Sequence, residues 1–182
     1  MNIRPATLVD AAAIAKVHVD SWRTTYRGIL PAEFLAGLSY ERREQIWRNS
    51  LGNSEREFTY VAEAEPGQIV GFITGGPERE GDPTYAGELI AIYLLAEQQG
   101  KGIGRQLVGR LAQSLLARQL TTLLVWVLAA NPARTFYQKL GGQYIKEKPI
   151  TFGGAEVIEE AYGWLNLSPL AQYAQPARLV GR

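Results

Sequence analysis

Glu97-Gln98-Gln99-Gly100-Lys101-Gly102-Ile103-Gly104-Arg105 joins an apolar stretch, residues 88–95, to a strongly amphipathic one, residues 102–118. The first has the length and composition of a buried strand. The second sets Ile103, Leu107, Val108, Leu111, Ala112 and Leu115 at helical spacing, with Arg105, Gln106, Arg110, Gln113 and Arg118 away from that face. Three glycines at alternate positions leave backbone N–H groups unobstructed, and the helix that begins there adds the positive end of its dipole. Lys101 and Arg105 add charge at the rim. A phosphate or pyrophosphate is the expected ligand, and a glycine-rich turn without a ligand is the bland alternative. A Walker loop would need Ser or Thr after its lysine. A dinucleotide fingerprint built on Gly100 and Gly102 would need glycine where Arg105 stands, and an acid near Thr122.

Outward from this turn the chain reads as one layered α/β domain, with a mixed, mostly antiparallel sheet of about six to seven strands flanked by helices. N-terminal to it, a short strand at 2–4 leads through a Thr7/Asp10 cap pair into a helix over 11–22. Two short helices follow near 32–38 and 40–51, the second behind Ser39. Strands at 58–64 and 68–75 flank Glu65-Pro66-Gly67, where Pro and Gly suit the centre of a type II turn. On the C-terminal side a buried strand at 122–130 precedes Asn131-Pro132, which opens a short helix stopped by Gly141. Strands at 143–148 and 156–165 pair antiparallel. The domain is expected to span 1–167, with an irregular tail over 168–182.

Composition removes several chemistries. The 182 residues carry no cysteine, so disulfides, a thiol nucleophile and a thiolate metal site are excluded. One histidine, His18, cannot form a His-based metal cluster, and no metal is expected. With 19 basic and 18 acidic residues, and no run of Lys/Arg, nucleic acid is not an expected partner. No apolar run approaches the roughly 20 residues that span a bilayer, and the N-terminus lacks a signal-peptide core, so no membrane partner and a cytoplasmic location are expected.

Gln99-Gly100-Lys101-Gly102-Ile103-Gly104 resembles the Gln/Arg-x-x-Gly-x-Gly/Ala signature of the GNAT acetyltransferases. Downstream, Asn131-Pro132-Ala133-Arg134-Thr135-Phe136-Tyr137-Gln138-Lys139-Leu140-Gly141 resembles that family's second signature. Upstream, Ser21-Trp22-Arg23-Thr24-Thr25-Tyr26-Arg27-Gly28-Ile29-Leu30-Pro31 resembles a stretch found in one bacterial branch. Two signatures in order, on the right elements, are far more specific than the six-residue loop alone. The resemblance spans about residues 2 to 165.

It implies acetyl-CoA as co-substrate and an amine acceptor, on a small molecule or a peptide. The backbone of Gln99, Gly100, Lys101, Gly102, Ile103, Gly104 and Arg105 would hold the CoA pyrophosphate. Backbone groups of Ile92, Tyr93 and Leu94 would pair with the pantetheine arm, their side chains serving as core. Asn131 would cap a helix and touch CoA. Tyr137 is the candidate general acid for the departing thiolate, or an aromatic filling a helix–sheet seam. Glu88 is the candidate base, acting through water on an amine that arrives protonated, with Ile90, Ile92 and Leu94 on its face. Its alternatives are an exposed strand-end acid and a solvent relay. Trp22 and Tyr26, four apart, would wall the acceptor pocket or pack in the core. His18 is read as structural, and Arg42, Arg43 and Glu44 as a solvated helix face. Without cysteine the transfer would run directly within a ternary complex. A CoA-binding sensor without catalysis, and an enzyme acting on protein N-termini or lysines, are the competing readings. A homodimer is left open.

Overall fold

The computed structural model describes residues 1–52 and 56–174. Its centre is a seven-stranded sheet in the order β1-β2-β3-β4-β5-β7-β6, formed by Asn2–Pro5, Phe58–Glu63, Ile69–Pro77, Gly87–Leu94, Leu123–Leu128, Ala155–Trp164 and Gln143–Phe152 in that spatial order. Every pairing is antiparallel except β4 with β5. Helix α1, Ala11–Thr25, covers one face with α2, Ala32–Ala36, and α3, Tyr40–Gly52. Helix α4, Ile103–Ala117, covers the other with α5, Arg134–Lys139, and α6, Ser168–Ala171.

The local chemistry explains these elements. In the β2–β3 hairpin the Gln68 N–H donates to the Glu65 carbonyl at 2.8 Å, with Gly67 at φ +80°, the conformation a type II turn demands of its third residue. The Arg42 N–H donates to Ser39 Oγ at 3.1 Å, capping α3. All six apolar residues expected on one face of α4 are buried. Full burial of Leu107, Leu111 and Leu115 contributes about 2 kcal/mol each.

Three expectations need correction. The chain from Ser168 to Ala174 is not irregular: α6 and a 3₁₀ turn, Gln172–Ala174, pack on α4, with Leu167 and Leu170 buried. The remainder of the expected tail, 175–182, lies outside the described residues. Strand β6 runs to Phe152, four residues beyond its expected end, so the β6–β7 hairpin is longer than the sequence suggested. Arg43 is not simply solvated. Its guanidinium lies 5.4 Å over the Trp22 ring, and desolvation pushes its pKa down. Arg42 is exposed, and Glu44 pairs with Arg48 at 2.7 Å.

The feature that places the site is a split in the sheet. β4 and β5 pair only from Gly87↔Leu123 to Leu89↔Val125. Beyond that, β4 stays with β3 as far as Leu94↔Gly71, while β5 stays with β7 as far as Leu128↔Glu159. Each strand is anchored on its outer edge, so the inner edges diverge. Backbone groups on such edges need a partner, and here the place of one is vacated by geometry.

Candidate active site

A cavity of about 830 Å³ fills the split and opens toward the glycine turn. At that end lie Gln99, Gly100, Gly102, Gly104 and Arg105. Gly100 and Gly102 have φ of +74° and +81°, a left-handed backbone that side chains rarely adopt, and a Cβ at either would point into open space. Gly104 is closed in: a Cβ there would meet the Phe136 ring at 3.3 Å. The first N–H groups of α4 have no partner within the helix and face the turn. With open space beside Gly100 and Gly102, the turn has room for a bulky group against its backbone. Ile103 points into the core beneath α4, and Lys101 is exposed with its Nζ donating to Gln98 Oε1 at 3.2 Å, so neither side chain lines the cavity. The Gln99 side chain donates to the Leu94 carbonyl at 3.2 Å and fixes the turn to the end of β4.

Ile92, Tyr93 and Leu94 line the middle of the cavity. Their side chains do not share the arrangement expected for Glu88. The register shifts where Thr74 opposes Ala91 and Gly75 opposes Leu89, leaving Ile90 as a bulge. The bulge reverses the alternation. Leu89, Ile92 and Leu94 therefore face α4, while Ala91 and Tyr93 face α1. Glu88, next to Leu89, belongs to the α1 side and not to the face of Ile92 and Leu94. Nor is it an exposed strand-end acid. It is 4% exposed, does not line the cavity, and accepts two bonds from Arg79, Nε at 2.8 Å and Nη2 at 2.6 Å.

Three phenols converge where the split is deepest. The hydroxyls of Tyr26 and Tyr93 lie 3.1 Å apart, and Asn131 Nδ2 donates to Tyr26 at 3.5 Å. Asn131 Oδ1 accepts from the Ala133 N–H at 2.9 Å, so one amide caps the turn into α5 and touches the phenol pair. Tyr137 lines the same space with its ring buried among Phe136, Tyr162 and Trp164. Its hydroxyl makes no hydrogen bond among the described residues, yet is not sealed off, because the fully buried side-chain atoms without a partner among those residues are His18 Nε2 and Trp22 Nε1. Burial raises the pKa of all three phenols, so each keeps its proton at neutral pH.

Tyr26 lies on the cavity wall but Trp22 does not. The indole fills the layer behind, 5.3 Å from the Tyr26 ring and 5.4 Å from Phe152. His18 sits deeper, its Nδ1 accepting from Trp47 Nε1 at 3.2 Å, and burial holds its pKa down to about 3. It is a neutral core residue. The wall opposite Tyr26 carries residues the sequence did not single out: Trp126, Leu128, Phe152 and Glu159. Their alternation along strands was legible. Which strand stands beside the split was not, since that depends on the order β5-β7-β6.

The chain matches the acetyltransferase (GNAT) family over residues 19–142. It is 39% identical over 170 residues to a Bacillus subtilis protein named as an uncharacterized N-acetyltransferase, YuaI, covering 93% of this chain and 96% of that one. Its structure is similar to that of a ribosomal-protein-alanine N-acetyltransferase from Brucella melitensis, with a TM-score of 0.69, 26% identity and coverage of 90% and 99% of the two chains. It is also similar to PaiA N-acetyltransferase from Thermoplasma acidophilum, solved in complex with coenzyme A, with a TM-score of 0.67, 21% identity and coverage of 87% and 96%. The split sheet, the glycine turn and these similarities together show that the chain belongs to the GNAT family, as an acetyl-CoA-dependent N-acetyltransferase.

Proposed function

We propose that the enzyme moves the acetyl group directly from acetyl-CoA to a primary amine, with both substrates bound across the split. The single observation that carries this reading is the divergence of β4 and β5 beyond Leu89 and Val125. One end of the resulting space is a cradle of amides suited to a pyrophosphate, and the centre holds a phenol with a free hydroxyl. The pyrophosphate would lie on the backbone of residues 99–105. The pantetheine arm would run beside Ile92–Leu94 as a surrogate strand, its amides meeting the unpaired inner edge. PaiA N-acetyltransferase, which shares this fold, was solved in complex with coenzyme A, which supports CoA as the ligand.

The thioester would then lie near Tyr137. When the amine attacks the carbonyl carbon, the C–S bond breaks and the thiolate needs a proton or a strong donor. A phenol kept protonated by burial supplies one. Glu88 is proposed here as an anchor for Arg79 and the loop before β4, because a bidentate guanidinium already occupies its carboxylate. With no cysteine in the chain, no acetyl-thioester on the protein can intervene. The test is to incubate the protein with acetyl-CoA and a panel of amines, following free thiol and the mass of the product together. Acetylated amine formed in step with thiol is the expected result. Thiol release without any acetylated amine would refute the transfer.

A further inference from the structure

Glu159 is a carboxylate on the cavity surface, half-buried, and without a hydrogen bond or ion pair among the described residues. That is unusual among the acids of this neighbourhood, which are otherwise matched. Arg79 holds Glu88, Lys148 Nζ meets Glu80 at 2.9 Å, and Arg134 meets Glu160 at 2.9 Å. Lys148 stands directly across the β6–β7 ladder from Glu159, yet its ammonium turns to Glu80 and to the Trp126 ring, 4.1 Å away. An unmatched, partly desolvated carboxylate is costly to keep unless something cationic joins it. Around it the cavity is apolar and aromatic: Tyr26, Trp126, Leu128 and Phe152. Resting on the acetyl-transfer reading above, we propose that Glu159 holds the acceptor's ammonium and takes its proton, and that the acceptor is a small monoamine on an uncharged, apolar or aryl body.

The step balances. The ammonium gives a proton to a Glu159 oxygen, and the freed lone pair forms the C–N bond. The C–S bond breaks, Tyr137 protonates the thiolate, the second proton of the now cationic amide nitrogen passes to the Tyr137 phenolate and restores it, and Glu159 sheds the first proton to solvent. Burial raises the pKa of Glu159, aided by Glu80 and Glu88 and opposed by Lys148 and Arg79, which makes it a better proton acceptor than an exposed glutamate. Tyr26, on α1, feels the same charge. A second cationic centre would find no further carboxylate on the cavity wall, where the other charged residues are Arg105 and Lys139, and a carboxylate beside the amine would meet Glu159 itself. Polyamines and free amino acids are thereby disfavoured.

The experiment compares wild type with Glu159→Gln on phenethylamine and on O-benzylhydroxylamine, a similar shape whose nitrogen is uncharged at neutral pH. Spermidine, phenylalanine and an Ala-initiated peptide are run beside them. Turnover is measured with acetyl-CoA, and amine binding by calorimetry on CoA-loaded protein. The expected result is that kcat/KM and affinity for phenethylamine fall about 30-fold or more in Glu159→Gln. O-benzylhydroxylamine should change only a few-fold, and acetyl-CoA affinity not at all. Equal losses for both acceptors, no loss for either, or a wild-type preference for spermidine, phenylalanine or the peptide would overturn the proposal. Glu159-dependent binding of phenethylamine without acetylated product would leave it standing and sink the transfer reading. Product whose rate ignores Glu159 would do the reverse.

Discussion

Tyr137 and His18 are both buried polar rings, and their surroundings assign them opposite tasks. Among the described residues the Tyr137 hydroxyl has no hydrogen-bond partner, and Tyr137 lines the cavity. Tyr137→Phe therefore removes a proton donor without orphaning a neighbour, and the ring packing stays. A general acid contributes about 10²–10⁴-fold, and a CoA thiolate leaves readily, so kcat should drop about 10²-fold. Thermal unfolding should shift by no more than about a degree, since no hydrogen bond is lost. Rate and melting measured on the same variant check this; an unchanged kcat would leave the phenol a packing residue. His18 acts through stability instead. Its pKa is depressed from 6.5 to about 3, so below pH 6.5 the unfolded chain binds a proton that the folded chain refuses. The stability present at neutral pH is thus lost as the pH falls from about 6.5 toward 3, at up to about 1.4 kcal/mol per unit. In His18→Leu the slope of unfolding free energy between pH 6 and 4 should flatten, even though Trp47 loses its acceptor and overall stability is lower. A slope equal to wild type would show that the histidine does not stay neutral.

Helix α4 joins the two ends of the account, because one face builds the core while its first turn forms the anion cradle. Its flank also receives the chain's C-terminal segment. Gly109 is buried there, and a Cβ on it would lie 2.2 Å from the Ala174 nitrogen and 2.5 Å from the Tyr173 carbonyl carbon. The contact is with backbone, so a side chain there cannot be accommodated by a rotamer change. In an exposed helix, Gly→Ala stabilises by about 1 kcal/mol. Here Gly109→Ala should instead destabilise by about 1–3 kcal/mol, from overpacking and displacement of the 172–174 turn. The sign of the change in urea unfolding decides it: a stabilised variant would mean the segment does not dock as described. Docking also matters to the site, as the Arg105 guanidinium at the cavity rim lies 5.0 Å over the Tyr173 ring. How far elements were legible in the sequence follows from their period. The six-residue apolar face of α4 and the Glu65-Pro66-Gly67 turn could be read directly. Ile90 could not, since a bulge is set by the register against β3, and missing it put Glu88 on the wrong face. The docking of 168–174 was hidden in part because its closest approach on α4 is at Gly109, which has no side chain to signal a contact.

For the molecule as a whole, sheet order converts scattered residues into one site. The glycine turn, Asn131, Tyr26 and Tyr137 could be nominated from motifs because each carries local chemistry. Glu159 could not, since nothing near it in sequence marks it, and only the placement of β7 beside β5 brings it to the split. Trp22 misled for a related reason: spacing on α1 gives a face but not the depth at which a ring ends. Among the described residues no helix is long and apolar enough to cross a membrane. The account stands or falls on CoA occupying the split as a surrogate strand, and backbone amide exchange with and without saturating CoA tests that most directly. It predicts that CoA slows exchange in two separate stretches together, the turn at 99–106 and the β4 edge at 92–94, with little change on the outer strands β1 and β6. Protection confined to other segments, or at the turn with none along β4, would contradict it.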